Sequence, residues 1–342
     1  MSKFKVGIIG CGRIGAVYKK AFKDLADKLE VVAAMDKDIS RAEEFASHFP
    51  GCKAFDDLDG FFNAGPKVVH VCTPHFLHRA HVEAALEAGC DVLTEKPIAT
   101  TVEDGLHMIE TSRRTGHKLG VIFQNRYIEG VQEAKALIEQ GAFGEIKGAW
   151  SQLDWFRPAS YYQCDWKGSW EKEGGGVVID QAIHSIDIVR YLIGLPVVEI
   201  QGHIARRVLT MIEVEDEADA AIKFSNGAVY AFSATNYYIK NSPIRIEVSG
   251  EKGKMLLTES VVEIELDGQE KRVIYPSQGA NVHGEAYWGS YHTTQIRKYY
   301  EALEQGLPVP HAPEDALRTL AVVLGIYKSG KNGEMPVKPE YV

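Results

Sequence analysis

The sequence predicts an α/β protein in two parts. A doubly wound parallel sheet is expected over residues 1–124, and an α+β domain built on an antiparallel sheet over 125–342. Three observations predict it. Short apolar runs alternate with helix-patterned segments through the first third. A glycine cluster marks the first strand-to-helix junction. Beyond Gln124 the chain turns to alternating strands broken by Asn-Gly and Asp-Gly dipeptides.

Taken in order, KVGIIG, EVVAAMD, VVHVCTP, DVLTEKP and KLGVIF read as strands, apolar enough to be covered on both faces. IGAVYKKAFKDLA and HRAHVEAALEAG between them carry apolar residues at helical spacing, the alternation of a helix-covered parallel sheet. The second part opens with the helical IEGVQEAKALIEQG and the strand EIKGAWSQLDW. Hairpins follow around Asn226-Gly227 and Asp267-Gly268, dipeptides suited to two-residue turns. Two helices end the chain, TTQIRKYYEALEQG and a segment over 313–330 opened by Pro313. The last of these is a candidate to pack back on the first domain.

Composition narrows the function. With 38 Lys and Arg against 47 Asp and Glu, a net charge of -9 and no basic cluster, the chain lacks the footprint of a nucleic-acid binder. Its five cysteines form no CxxC pair and no zinc spacing, and suit small buried apolar residues in a reducing compartment. MSKFKVGIIG enters a strand with no apolar leader, and no apolar run approaches the ~20 residues of a membrane span. The expected location is the cytoplasm, with no membrane contact.

The glycine cluster is Gly10-Cys11-Gly12-Arg13-Ile14-Gly15, a GxGxxG between a strand and a helix. Gly10 permits the tight turn, Gly12 admits a pyrophosphate to the backbone and Gly15 allows close helix packing. The N–H groups opening the helix then face the phosphates. Asp36 ends the next strand, near the ~20-residue offset of the carboxylate that binds the adenine ribose. This is a Rossmann dinucleotide cradle that prefers NAD, because an acid repels a 2′-phosphate; Lys37 alongside leaves NADP as an alternative.

Further candidates lie at the ends of later strands, where open α/β sheets bind ligands. Thr73 and Pro74 are expected to line the cofactor, with His78 nearby. Glu95-Lys96-Pro97 brings Lys96 toward the nicotinamide, and a cis Pro97 is expected there. His75, His78 and His81 lack carboxylate or cysteine partners and read as polar residues at a helix start, not metal ligands.

GGGVVIDQAIHSID, from Gly174 to Asp187, sets Asp180, His184 and Asp187 within about 60° on one face of an apolar helix. Imidazole titrates near neutral pH, so His184 suits proton removal from an alcohol. Asp180 would orient the ring or a hydroxyl, and Lys96 would stabilise the developing alkoxide. Asp187 reads as support for His184 or the helix register. The glycines are expected to admit substrate and nicotinamide to the helix start. A divalent-metal site on the same stripe ranks lower, since the cradle already supplies a hydride acceptor; no metal is expected. A buried polar network that merely fixes packing is the third reading.

Together, GIIGCGRIG, EKP and GGGVVIDQAIHSIDIVRYL resemble the Gfo/Idh/MocA family of oxidoreductases, named for glucose–fructose oxidoreductase and inositol dehydrogenase. The resemblance covers nearly the whole chain, including GSYHTTQIRKYYEAL and EDALRTLAVVLGIYKSG. It implies an N-terminal Rossmann domain and a C-terminal α+β domain whose open, mostly antiparallel sheet mediates homodimers or homotetramers. It also implies a catalytic trio matching Lys96, Asp180 and His184. One departure is Thr73-Pro74-His75, where the family often has Thr-Pro-Asn.

Substrate-pocket candidates are Arg126 and Tyr127, the loop DWFRPASYYQCDWKGSW with Trp155, Arg157 and Trp166, and YWGSYH with His292. Aromatic faces with interspersed polar groups suit a sugar or cyclitol. Arg157 and Lys167 are thin evidence for an acidic substrate. The expected function is NAD-dependent hydride transfer from a secondary alcohol of a sugar, inositol or related polyol. A glycosidase working by transient NAD oxidation and elimination is the alternative, and a non-catalytic NAD(H)-binding regulator a third.

Overall fold

The computed structural model describes residues 3–277 and 291–342. Contacts divide these into two units, the described residues within Met1–Gln124 and Asn281–Leu317 and those within Asn125–Ala280 and Arg318–Val342.

In the first unit β1 (Phe4–Ile9), β2 (Leu29–Met35), β3 (Lys53–Phe55), β4 (Val68–Val71), β5 (Asp91–Thr94) and β6 (Leu119–Val121) form a parallel sheet in the order β3-β2-β1-β4-β5-β6. The order reverses between β1 and β4, the switch point at which such sheets open a ligand crevice. Helices α1 (Gly15–Asp24), α2 (Ile39–Ala46), α3 (Leu58–Asn63), α4 (His78–Glu87) and α5 (Val102–Thr115) connect the strands. Their ends follow local chemistry. Asp38 caps α2, Thr101 caps α5, and Gly116 ends α5 in the left-handed region at φ 76°. The short β3 has no buried residue, so hydropathy patterning passes over it.

The span expected as one second domain, 125–342, is interrupted. α8 (His292–Gln305) packs in the first unit, because its inner face satisfies the backbone at the sheet edge. Gln295 donates to the Val121 carbonyl at 2.8 Å and accepts from the Phe123 N–H at 2.9 Å, while the Tyr299 hydroxyl donates to the Val92 carbonyl at 2.9 Å. Ile296, Tyr299 and Tyr300 join the core of Phe22, Phe45 and Leu93. Of α9 (Pro313–Lys331), only the first turn through Leu317 belongs to this unit.

The second unit holds α6 (Glu129–Glu139), β7 (Ile146–Asp154), α7 (Ile183–Ile193), β8 (Val197–Ala205), β9 (Glu217–Phe224), β10 (Val229–Thr235), β11 (Arg245–Gly250), β12 (Gly253–Thr258), β13 (Val261–Leu266) and β14 (Arg272–Ile274). The strands form a sheet ordered β14-β13-β12-β11-β7-β10-β9-β8, antiparallel except where β7 meets β10. Along β10 burial alternates, with Tyr230, Phe232 and Ala234 facing inward. The β9–β10 turn is longer than the two residues expected. Phe224 donates to the Ala228 carbonyl and Gly227 adopts φ 88°, a loop of Ser225–Gly227 with its left-handed position last. Among the described residues no helix is long and apolar enough to cross a membrane.

Candidate active site

The expected dinucleotide residues collect at the carboxyl ends of β1, β2, β4 and β5 in the first unit. Gly10 sits at φ 95°, where a Cβ would lie 2.6 Å from the Cys72 carbonyl carbon, so the turn and the approach of β4 both require glycine. A Cβ at Gly12 would meet nothing within 4 Å, which leaves the space a pyrophosphate needs. Gly15 differs from expectation: a Cβ there would rest 3.6 Å from Phe45, an ordinary contact, so no tight helix packing forbids a side chain. No side chain caps α1. Asp36 is buried, its two oxygens accepting from the Cys11 N–H at 2.8 Å and the Asp38 N–H at 3.0 Å. Its carboxylate is thereby fixed at the rim of the cradle, with Lys37 exposed beside it. These features fit a dinucleotide.

After β4, Thr73 and Pro74 are half-buried, and His78 is wholly buried. Its ring nitrogens lie 2.7 Å from the Pro97 carbonyl and 2.9 Å from the Thr73 carbonyl. His78 thus braces the loops after β4 and β5 to each other, from a buried position among the residues expected near the cofactor. The Lys96–Pro97 peptide is cis, as expected. Lys96 is half-buried next to buried Glu95, whose Oε1 accepts from the Tyr18 hydroxyl at 2.8 Å. His292, expected at the substrate, is buried in this unit with its Nε2 3.5 Å from the same oxygen, because α8 returns here. Burial pushes the Glu95 carboxyl up, but His292, Tyr18 and Lys96 outweigh it and hold it below the usual carboxylate range. The neighbouring candidates at 287–290 lie outside the described residues.

In the second unit, the apolar run after the glycines does not continue as one α-helix. Val178–Ala182 is a π-helical turn that leads into α7, a distortion often found at functional sites. Asp180 lies in that turn and half-buried His184 in the first turn of α7. Asp180 Oδ2 accepts from Lys167 Nζ at 2.5 Å, the Tyr161 hydroxyl at 2.6 Å and Gln181 Nε2 at 2.6 Å. Asp187 faces different partners, pairing with Arg126 through two bonds at 2.5 and 2.6 Å and accepting from Thr319 at 2.9 Å. The two acids of the predicted stripe therefore serve separate networks. Among the described residues no three His, Cys, Asp or Glu side chains gather as a metal site.

Further expectations change. Arg126 was expected at the substrate, but its guanidinium is buried against Asp187 and over the Tyr191 ring at 4.8 Å. Arg157 is 1 % exposed, its guanidinium 4.6 Å from the Trp155 ring, and Trp155 donates to the Ser242 carbonyl, so both support the loop from inside. Tyr127 and Trp166 remain half-buried. The glycines do not clear a path for ligands. A Cβ at Gly175 would overlap the Tyr327 hydroxyl, and one at Gly176 the Glu215 carbonyl oxygen. They let the backbone just before β9 and the Tyr327 side chain of α9 close on the helix start. There the Glu215 carboxyl, pushed up to about 7 by burial, accepts from the Gly176 and Val178 N–H groups and from Tyr327. Gly176→Ala is expected to destabilise the protein by about 1–3 kcal/mol, since the obstructing atom is backbone. Urea unfolding followed by tryptophan fluorescence checks this, and an unchanged midpoint would show that the contact relaxes without cost.

Lys167 is the residue whose role sequence reading missed. Its only signal was a cation set among tryptophans and tyrosines thirteen positions before Asp180.

Comparison with known proteins agrees with this architecture. The model of an oxidoreductase family with an NAD-binding Rossmann fold matches residues 4–123, and that of the GFO/IDH/MocA C-terminal domain matches 131–256. The chain is 30% identical to D-glucoside 3-dehydrogenase of Escherichia coli K12 over 249 residues, 67% of this chain and 69% of that one. It is 26% identical to the NAD(+) scyllo-inositol 2-dehydrogenase of Bacillus subtilis 168 over 98% of this chain and 96% of the relative. Among solved structures, the WlbA dehydrogenase of Bordetella pertussis in complex with NADH and UDP-GlcNAcA superposes with a TM-score of 0.85 at 27% identity, covering 98% of this chain and 99% of that one. This chain belongs to the Gfo/Idh/MocA family and is an NAD-binding oxidoreductase.

Proposed function

We propose that this oxidoreductase oxidises a secondary alcohol of a sugar, inositol or related polyol, with Lys96, Asp180 and His184 acting on the reacting hydroxyl. The observation that carries the reading is the placement, at the start of α7, of a carboxylate held by three donors and, four residues on, a half-buried histidine. The relatives named as D-glucoside and inositol dehydrogenases support the substrate class. NAD, when bound, supplies the hydride acceptor. His184 removes the hydroxyl proton, Lys96 stabilises the negative charge that develops on the oxygen, and Asp180 holds the imidazole or the hydroxyl in line. Trp166 and Tyr127 offer apolar faces to the ring. In this reading the enzyme works in the cytoplasm as a homodimer or homotetramer through the second unit's sheet, and Asp36 favours NAD over NADP.

A screen of inositols, aldoses and their acids with NAD and NADP, following absorbance of the reduced cofactor, tests the proposal. Reduced cofactor is expected with at least one neutral polyol and more readily with NAD. Absence of reduction across the panel overturns it, and turnover of an aryl glycoside without net NADH would replace it with elimination chemistry.

A further inference from the structure

Lys167, Asp180 and Glu173 form a buried cluster of ionisable groups in the second unit. Lys167 Nζ lies 2.5 Å from Asp180 Oδ2 and 3.1 Å from Glu173 Oε1, with side-chain exposures of 8%, 9% and 1% for the three residues. The ammonium also sits 4.5 Å from the Tyr161 ring centre and 4.4 Å from that of Trp166. Glu173 accepts in addition from the Gly168 N–H, and Gln181 connects Asp180 to Asn236, which donates to Gln181 Oε1 at 3.0 Å and to Tyr162 at 3.1 Å. A lysine loses much hydration when enclosed this way, and only paired carboxylates and aromatic faces offset that loss. Burial alone would lower the Lys167 ammonium, yet Asp180 and Glu173 hold it well above its ordinary value. Burial pushes the Glu173 carboxyl up, against the pull of Lys167 and of the Gly168 N–H.

We propose that Lys167 is the positioning residue of this active site: it fixes the direction and charge of the Asp180 carboxylate and ties it to the aromatic loop. This rests on the reading that Asp180 serves the reacting hydroxyl. Two consequences follow from the geometry. The positive charge in the aromatic loop is already held by Asp180 and Glu173 of its own unit, so Lys167 does not recruit an acidic or phosphorylated substrate. Its influence on turnover passes through Asp180.

A double-mutant cycle on the full-length enzyme tests this, using K167M, D180N and K167M/D180N with the polyol identified by the screen. K167M is expected to lower kcat by about tenfold or more, the range in which misplaced acid–base groups act. NADH affinity, read by cofactor fluorescence, stays at the wild-type value, and the kcat/KM pH profile of K167M shifts. K167R restores part of the loss. In the D180N background, adding K167M changes kcat by less than about threefold, because the group through which Lys167 acts is already neutral. The double variant removes both charges together, so this comparison survives even if K167M alone fails to fold. Wild-type kcat and pH profile in K167M, or an undiminished loss in the D180N background, overturn the proposal. Absence of polyol oxidation by the wild-type enzyme overturns the underlying reading as well, a result distinct from either.

Discussion

Replacing His184 by alanine is expected to lower turnover by at least ~100-fold, as is replacing Lys96, with the dinucleotide still bound by either variant. Imidazole as a side-chain type suits proton removal near neutral pH, and the hydroxyl proton has to leave as hydride leaves the carbon. In the proposed mechanism Lys96 contributes by charge, and loss of one such electrostatic donor typically removes about 10²–10³ in rate. The two losses should not multiply when combined, because groups that act on one bond-breaking event are strongly non-additive. Stopped-flow single turnover with NAD checks the chemical step, and fluorescence of bound NADH checks that the cradle at Gly10, Gly12 and Asp36 survives. Near-wild-type single-turnover rates in H184A would remove the histidine from the mechanism, and the same result in K96A would remove the lysine.

Much of the fold was legible because the physics is local. Strand–helix alternation, GxGxxG and the acid at Asp36 each report a short stretch of backbone, and together they mark a doubly wound parallel sheet. The return of α8 to the first unit was not legible, because Gln295 and Tyr299 become informative only once the β5 and β6 carbonyls they bond are in place. The same limit applied to the site. Helical spacing put Asp180, His184 and Asp187 on one face, but the π-turn at Val178–Ala182 alters that spacing, and no residue pattern announced it. Arg126, Arg157 and His292 looked like ligand contacts because cations and imidazoles usually stay exposed unless used. Each found a partner distant in sequence: Asp187 for Arg126, Asn241 for Arg157 and Glu95 for His292. Glycines 174–176 misled for the opposite reason. Absence of a side chain signals close approach, but not of what, and here the approaching groups are Tyr327 and Glu215.

The second large effect expected is on stability, from Asp187→Asn. The Arg126–Asp187 pair is bidentate, with side-chain exposures of 5% and 1%, and Thr319, itself bonded to Arg190, occupies a further lone pair of the acid. Neutralising Asp187 leaves the guanidinium buried without its anion, a change that typically costs about 3–5 kcal/mol. The urea midpoint of the second unit should fall accordingly, with the first unit's transition little changed, since the two units need not unfold as one. R126M/D187L removes both charges and should recover most of the loss, because apolar replacements of similar volume are often neutral once neither ion remains. Losses that simply add would show that the pair is not a unit. The double variant also separates packing from substrate recognition: with the fold retained, a polyol KM equal to wild type keeps Arg126 out of the pocket, and a large rise in KM returns it there.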